Sequence, residues 1–229
     1  MASTFFGLHI GSSALSSFQV ATNTTANNIA NVKTTGYTRQ EATLQAKDAI
    51  NVTARYGSVG TGVTVTSIKQ QRDLYYDNKY WENNSCYGRY EQKLYYMEQI
   101  QNYFKDNGSS VKGFSSVFSQ MFSDLDTLRS KPSDKTVRNQ FISSAQSLCT
   151  YFNQMSDNLS KLQDDCNEEI RNNVDKINSI SEKISLLNKE INQIETGTGV
   201  EASSLRDERA NLIDSLSKIV NVSYNETEV

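Results

Sequence analysis

The chain has 229 residues, 37% of them hydrophobic, with a formal net charge of −3, three cysteines and a single histidine. That length allows one or two domains, and charges of both signs interspersed create no field that would draw nucleic acid or anionic lipid. No run approaches the roughly 18 to 20 consecutive apolar residues that a membrane-spanning helix needs, and the first basic side chain is Lys33, too late for the basic start of a cleavable secretory signal.

One proline and many Asn, Ser and Gln suit long helices with one apolar stripe each, rather than a thick core. From Phe5 to Val32 a heptad-like seam runs through Leu8, Gly11, Leu15, Phe18, Thr22, Thr25, Ile29 and Val32. Gly11, Thr22 and Thr25 among these are small or polar, so the segment buries little alone. It is expected to be mobile in an isolated monomer and to become helical only against neighbouring helices. Gly36 ends this region, and Tyr37 to Leu44 reads as extended. Val63 to Val65, after Gly57, Gly60 and Gly62, reads as a second extended piece, and together they form a small two-stranded element.

A helix is expected from about Gln70 to Lys105, with Tyr87, Tyr90, Leu94, Met97 and Phe104 on one face and an end near Asn107-Gly108. Phe114, Val117, Phe118, Met121, Leu125 and Leu128 form the next stripe. Lys131-Pro132-Ser133-Asp134 then breaks the chain and caps the next helix.

Between Asp134 and about Glu195 there is neither Gly nor Pro. The apolar positions run Val137, Phe141, Leu148, Phe152, Met155, Leu159, Leu162, Cys166, Ile170, Val174, Ile177, Ile180, Ile184, Leu187, Ile191 and Ile194. From Ile177 they alternate three and four, whereas Leu162 to Val174 takes three successive fours, a local stutter. One continuous helix of this length spans on the order of 90 Å at about 1.5 Å per residue, and it needs at least two partner helices. Gly197-Thr198-Gly199 marks a turn. Leu205, Leu212, Ile213, Leu216 and Ile219 give a last amphipathic helix folding back antiparallel, and Val220 to Tyr224 turns toward a strand.

Chemistry-bearing patterns are sparse. His9 is the only histidine, which excludes a two-histidine zinc site and leaves an interface or surface role. Cys86, Cys149 and Cys166 are odd in number and far apart, and read as unpaired, buried or half-buried thiols in helices. The glycines at 57, 60 and 62 lack the Gly-Lys-Ser/Thr ending of a phosphate loop and read as a turn. Asp164-Asp165 and Glu168-Glu169 read as a solvated helix face. Tyr75, Tyr76, Tyr80, Tyr87, Tyr90, Tyr95 and Tyr96 share one helix without a basic stripe, which favours core and interface packing over stacking on bases. No catalytic residue, cofactor or metal is expected.

One stretch is far more specific. Ala26-Asn27-Asn28-Ile29-Ala30-Asn31, followed by Val32-Lys33-Thr34-Thr35 and Gly36-Tyr37-Thr38-Arg39-Gln40, closely resembles the N-terminal motif of bacterial flagellar axial proteins, the rod, hook and hook-associated subunits. The Gly-Tyr-Thr-Arg-Gln ending is most similar to the hook-associated protein 1 family. Lys131-Pro132-Ser133-Asp134, Ser204-Leu205-Arg206-Asp207-Glu208-Arg209 and Leu216-Ser217-Lys218-Ile219-Val220-Asn221-Val222 resemble segments of that family's helical domain. The asparagine amides suit bonding to backbone across close helices or capping a helix end, and Gly36 suits a sharp exit from helix to extended chain.

The resemblance implies a mainly α fold, a long helical bundle or coiled coil with the minor two-stranded β element. It divides the chain into an axial coiled-coil segment at 1–35, a connecting region at 36–69 and a long-helix bundle at 70–229. It also implies a structural adaptor at the hook–filament junction, without catalysis, exported by the flagellar type III apparatus. Its partners would be copies of itself, the hook protein, the second junction protein and an export chaperone. Ala26 to Asn31 and Gly36 to Gln40 would be the assembly motif, and Leu8, Leu15, Phe18 and Ile29 the assembly seam. The family's returning C-terminal helix is not found, so the chain is expected to be a fragment or an unusually short relative. The rival readings are a rod or hook subunit, in which the helical region Phe114 to Val220 would be out of place, and a cytoplasmic coiled-coil module.

Overall fold

A computed structural model describes residues 5–51, 57–106 and 113–225. The expected end of the second helix at Asn107-Gly108 lies outside them. Among the described residues the order is α1 (Phe6–Ala30), β1 (Gln40–Ala46), β2 (Ile50–Asn51), β3 (Ser58–Val59), β4 (Val63–Gln70), α2 (Leu74–Tyr103), α3 (Phe114–Ser130), α4 (Lys135–Thr198) and α5 (Ser203–Ser217). The mainly α fold with a minor β element is therefore what the chain adopts. The chain forms two compact units, Met1–Ser85 with Ile177–Val229, and Cys86–Lys176.

In the first unit β1 and β4 pair antiparallel, from Gln40 opposite Gln70 to Ala46 opposite Val63, with one register shift between Thr43 and Leu44. A second short pair, β2 with β3, had no signal in the alternation of the sequence. Gly57 and Gly62 have positive φ values of 74° and 104°, as their reading as turn residues requires.

α1 lies on the β1/β4 ribbon through its small residues. Ser17 is buried and donates its hydroxyl to the Val63 carbonyl at 3.2 Å, and Thr24, also buried, donates back to the Val20 carbonyl at 3.0 Å. This corrects the expectation that the segment becomes helical only on assembly. The large seam residues offer little burial within the chain, but the hydroxyl-bearing face on the other side of α1 seats it on the ribbon.

The core of the first unit is Trp81, Ile180, Leu187, Ile191, Ala210 and Ile213. α4 ends where Gly199, at φ 66°, returns its N–H to the Glu195 carbonyl at 2.9 Å, a left-handed helix cap. α5 then runs back antiparallel. Arg206 forks onto Glu195, with Nε to Oε1 at 2.6 Å and Nη2 to Oε2 at 2.7 Å, and Arg209 reaches Asn188 at 3.0 Å. Beyond α5 the strand expected at Val220 to Tyr224 does not form. Tyr224 instead packs edge-on against Trp81, with ring centroids 5.7 Å apart, and beneath the Arg209 guanidinium, so side-chain packing replaces a ladder.

The second unit packs α4 against α2 and α3. Phe114 lies 5.9 Å from Phe152 between ring centroids, and buried Asp124 accepts amide protons from Gln120 and Gln140 at 3.0 and 2.8 Å. Asp134 accepts the Thr136 N–H at 2.8 Å, the cap expected after Pro132.

Two expectations are corrected in this unit. Ile170 and Val174 are 54% and 48% exposed, while Leu162, Cys166, Glu169 and Asn173 are half-buried, so polar residues occupy the inward positions. Glu169 explains this, because its carboxylate accepts from both Gln92 Nε2 and the Tyr96 hydroxyl. The tyrosines of α2 do not fill a core either. Tyr87, Tyr90 and Tyr95 of this unit are exposed, because α2 here turns small and polar residues such as Gly88 and Gln92 inward, and Tyr75, Tyr76 and Tyr80 of the first unit are exposed as well. Of the thiols, Cys86 and Cys166 are half-buried and Cys149 is exposed.

Candidate assembly site

The end of α1 and the start of β1 form one hydrogen-bonded corner. Asn28 Oδ1 accepts the Gln40 N–H at 3.0 Å while its Nδ2 donates to the Gln40 carbonyl at 2.8 Å. The same Oδ1 accepts the Tyr37 hydroxyl at 2.8 Å, and that oxygen accepts from Asn27 Nδ2 at 3.1 Å. Asn31 Nδ2 bonds back to the Asn27 carbonyl and side chain at 3.0 and 2.9 Å, and Thr34 donates to Asn31 Oδ1 at 3.2 Å. Asn28 thus bonds the backbone of β1 rather than that of a neighbouring helix, and Asn31 caps the end of α1. An open groove of about 620 Å³ overlies the corner, lined in part by Thr24, Ile29, Val32 and Tyr37.

Gly36, at φ 78°, makes the turn, and a Cβ there would overlap the Asn211 side chain on α5. Thr38 donates its N–H to Asp207 Oδ2 at 3.3 Å. Of the motif, Asn27, Asn28, Asn31, Tyr37 and Gln40 are therefore brought together, and Gly36 and Thr38 are held by α5. Ala26, Ile29, Ala30 and Arg39 are exposed outside this network, with Arg39 in an exposed pair with Glu41 at 3.6 Å.

The four large seam residues point away from the ribbon. Leu8 is 70% exposed, Leu15 71%, Phe18 58% and Ile29 68%. The surface around them is unusual in another respect. Between Phe5 and Val32 the sequence has no Lys, Arg, Asp or Glu, so α1 carries no charge apart from what His9 can acquire. Its exposed side therefore carries only apolar and neutral polar groups, among them Ser12, Gln19, Thr22 and Asn23.

Residues that the sequence reading left without a role hold this corner from the other side. Asp207, Asn211 and Asp214 are spaced four and three along α5 and so lie on one face. Asp214 Oδ1 accepts the Trp81 indole N–H at 2.6 Å, and Asn84 reaches the Asp214 carbonyl and the Ser217 hydroxyl at 3.1 and 2.8 Å. The Arg206 guanidinium on Glu195 holds that carboxyl below its ordinary range. Among the described residues no cluster of His, Cys, Asp or Glu could hold a metal ion, and no helix is long and apolar enough to cross a membrane. The arrangement binds backbone and presents apolar surface.

Residues 97–228 match the model of the flagellar hook-associated protein FlgK helical domain, and residues 8–38 that of the flagella basal body rod protein. The chain is similar to flagellar hook-associated protein 1 of Bacillus subtilis, at 34% identity over 99% of this chain and 46% of that protein. It is similar to the proteins of the same name from Salmonella typhimurium and Escherichia coli, at 33% and 31% identity, in each case over 93% of this chain and 38% of the relative. It thus spans less than half the length of these relatives. With more than half of its residues matched by that helical-domain model, the chain belongs to the flagellar hook-associated protein FlgK helical domain family.

Proposed function

We propose that this chain is a structural, non-catalytic subunit of the bacterial flagellum acting as an adaptor at the hook–filament junction, and that α1 is its assembly element. The observation that carries this reading is the division of α1 into two faces. One, with Ser17 and Thr24 buried, lies on its own β ribbon, while Leu8, Leu15, Phe18 and Ile29 remain exposed on an uncharged helix. At about 1.5 to 3 kcal/mol for each large side chain fully buried, those four supply on the order of 6 to 12 kcal/mol to whatever covers them. In this reading Asn27, Asn28, Asn31, Gly36, Tyr37, Thr38 and Gln40 of the motif set the corner from which this face is presented.

The partners in this reading are copies of the chain, the hook protein and the second junction protein, reached outside the cell after type III export with a dedicated chaperone. The relatives named flagellar hook-associated protein 1 support it, as does the match over residues 97–228, which a rod or hook subunit would not be expected to give.

The test replaces Leu15 and Phe18 by Asp in the full-length gene of a motile cell. Hooks without filaments are expected, with the variant still exported and its helix content unchanged by circular dichroism. Normal filaments and swimming would overturn the reading.

A further inference from the structure

We infer that α5 is the positioning element of the N-terminal motif, with Asp207 as the joint that fixes the direction in which α1 leaves the rest of its unit. One carboxylate holds both strands at the same end of the ribbon. Its Oδ2 accepts the Thr38 N–H at 3.3 Å just before β1, and its Oδ1 accepts Gln70 Nε2 at 2.7 Å at the close of β4. Gln40 and Gln70 are cross-strand partners, so Asp207 grips the ribbon at its base. The grip is reinforced by Gln70 itself, whose N–H goes to Glu201 Oε1 at 3.0 Å and whose side-chain amide also reaches the Ser203 carbonyl at 2.8 Å. At Gly36 the backbone of the turn lies so close to Asn211 that no side chain fits between them.

These bonds connect in series. α1 is tied to β1 through Asn28 and Gln40, and β1 and β4 are tied to α5 through Asp207. α5 is in turn tied to α2 through Asp214 and Trp81, and to α4 through Arg206 and Glu195. Each link is half-buried, where a hydrogen bond to a charged oxygen is stronger than at a fully wetted surface. The β ribbon is therefore a lever held at its base, with α1 on its arm. Without the Asp207 carboxylate the lever keeps its own strand pairing but loses its fixed angle to α5.

The experiment measures the distance distribution between spin labels at Ser12 on α1 and Ser215 on α5, in the full chain with Cys86, Cys149 and Cys166 replaced by Ser. Asp207→Asn keeps the size of the side chain but removes an acceptor, and Gln70→Ala removes the partner on β4. Each is expected to widen the distribution about twofold or more with helix content unchanged, and the double variant to be no wider than the broader single one, as for residues sharing one network. The exposed Glu41→Ala serves as the control and is expected to leave the width as it is. Wild-type widths in both folded single variants, or equal broadening by Glu41→Ala, would overturn the inference. Should Asp207→Asn fail to fold, Gln70→Ala decides alone. The distance reading is independent of assembly, so failure of the Leu15 and Phe18 test would leave it standing.

Discussion

Asn28 pairs with Gln40 as a strand would, its side-chain amide accepting the Gln40 N–H and donating to the Gln40 carbonyl at 3.0 and 2.8 Å. A helix residue thereby starts β1. Asn28→Ala removes both bonds and the acceptor for Tyr37, at about 0.5 to 1.5 kcal/mol each with more for the half-buried groups left unpaired. Amide hydrogen exchange at Gln40 and through the last turns of α1 is expected to accelerate, with Asn28→Asp intermediate because it keeps the acceptor and loses the donor. Unchanged protection at Gln40 in Asn28→Ala would contradict this pairing.

Trp81 is the only tryptophan and is 2% exposed, so its fluorescence reports on the first unit alone. Asp214→Ala leaves the indole N–H without its acceptor inside the unit, which costs about 1 to 3 kcal/mol for an unpaired buried donor. The expected result is a red-shifted emission and a lower denaturation midpoint followed through Trp81. An unshifted spectrum would mean that the indole bond contributes little.

Glu195 titrates below its ordinary range because Arg206 donates to it, against the opposing effect of its partial burial. A carboxyl with a depressed folded pKa contributes stability that is present above its unfolded value, about 4.3, and is lost as pH falls through the folded value. The α4–α5 turn is therefore expected to loosen in acid below about pH 4. Glu195→Gln should lower stability at neutral pH and flatten this acid limb, with melting temperature across pH as the measurement.

Tyr96 is displaced the other way. Its hydrogen bond to Glu169, and then its desolvation, raise its pKa well above the usual tyrosine range. That contribution is fully present below the unfolded value, about 10, and is lost as pH rises through the folded value. Glu169→Gln is expected to return one tyrosine to ordinary alkaline titration in the ultraviolet difference spectrum. An identical titration curve in the variant would remove Glu169 as the cause.

Ile177 lies inside the 64 residues of α4, so Ile177→Pro removes a helix hydrogen bond and pushes its ring into the preceding turn. A loss of roughly 3 kcal/mol or more is expected, with a clear drop in helix signal. Full helicity and an unchanged melting temperature would show that α4 is not one mechanical piece.

Long-period features are the most legible in the sequence. The helix expected from Asp134 to Glu195 is α4, Lys135–Thr198, because a long run without Gly or Pro and with a repeating apolar step leaves few alternatives. The pairing of β1 with β4 and the corner at Gly36 are legible for a similar reason, since β-forming residues and glycines are local signals. The features that escape a sequence reading are polar. Asp207, Asn211 and Asp214 look like the wet face of an amphipathic helix, and only the fold places them against Thr38, Gly36 and Trp81. Glu169 escapes likewise, because an acidic pair in a helix gives no hint of a tyrosine and a glutamine across from it. Ser17 and Thr24 are easily passed over because hydroxyls weigh little in an apolar pattern, yet they seat α1 on its ribbon.

The absence of charge along α1 decides how its contacts respond to the medium. Screening acts on fixed charges, and between Phe5 and Val32 there are none beyond His9 for it to act on. In the assembly proposed above, joints through Leu8, Leu15, Phe18 and Ile29 would hold no charge of α1 for sodium chloride to screen, and would tighten in sulfate, which is excluded from apolar surface.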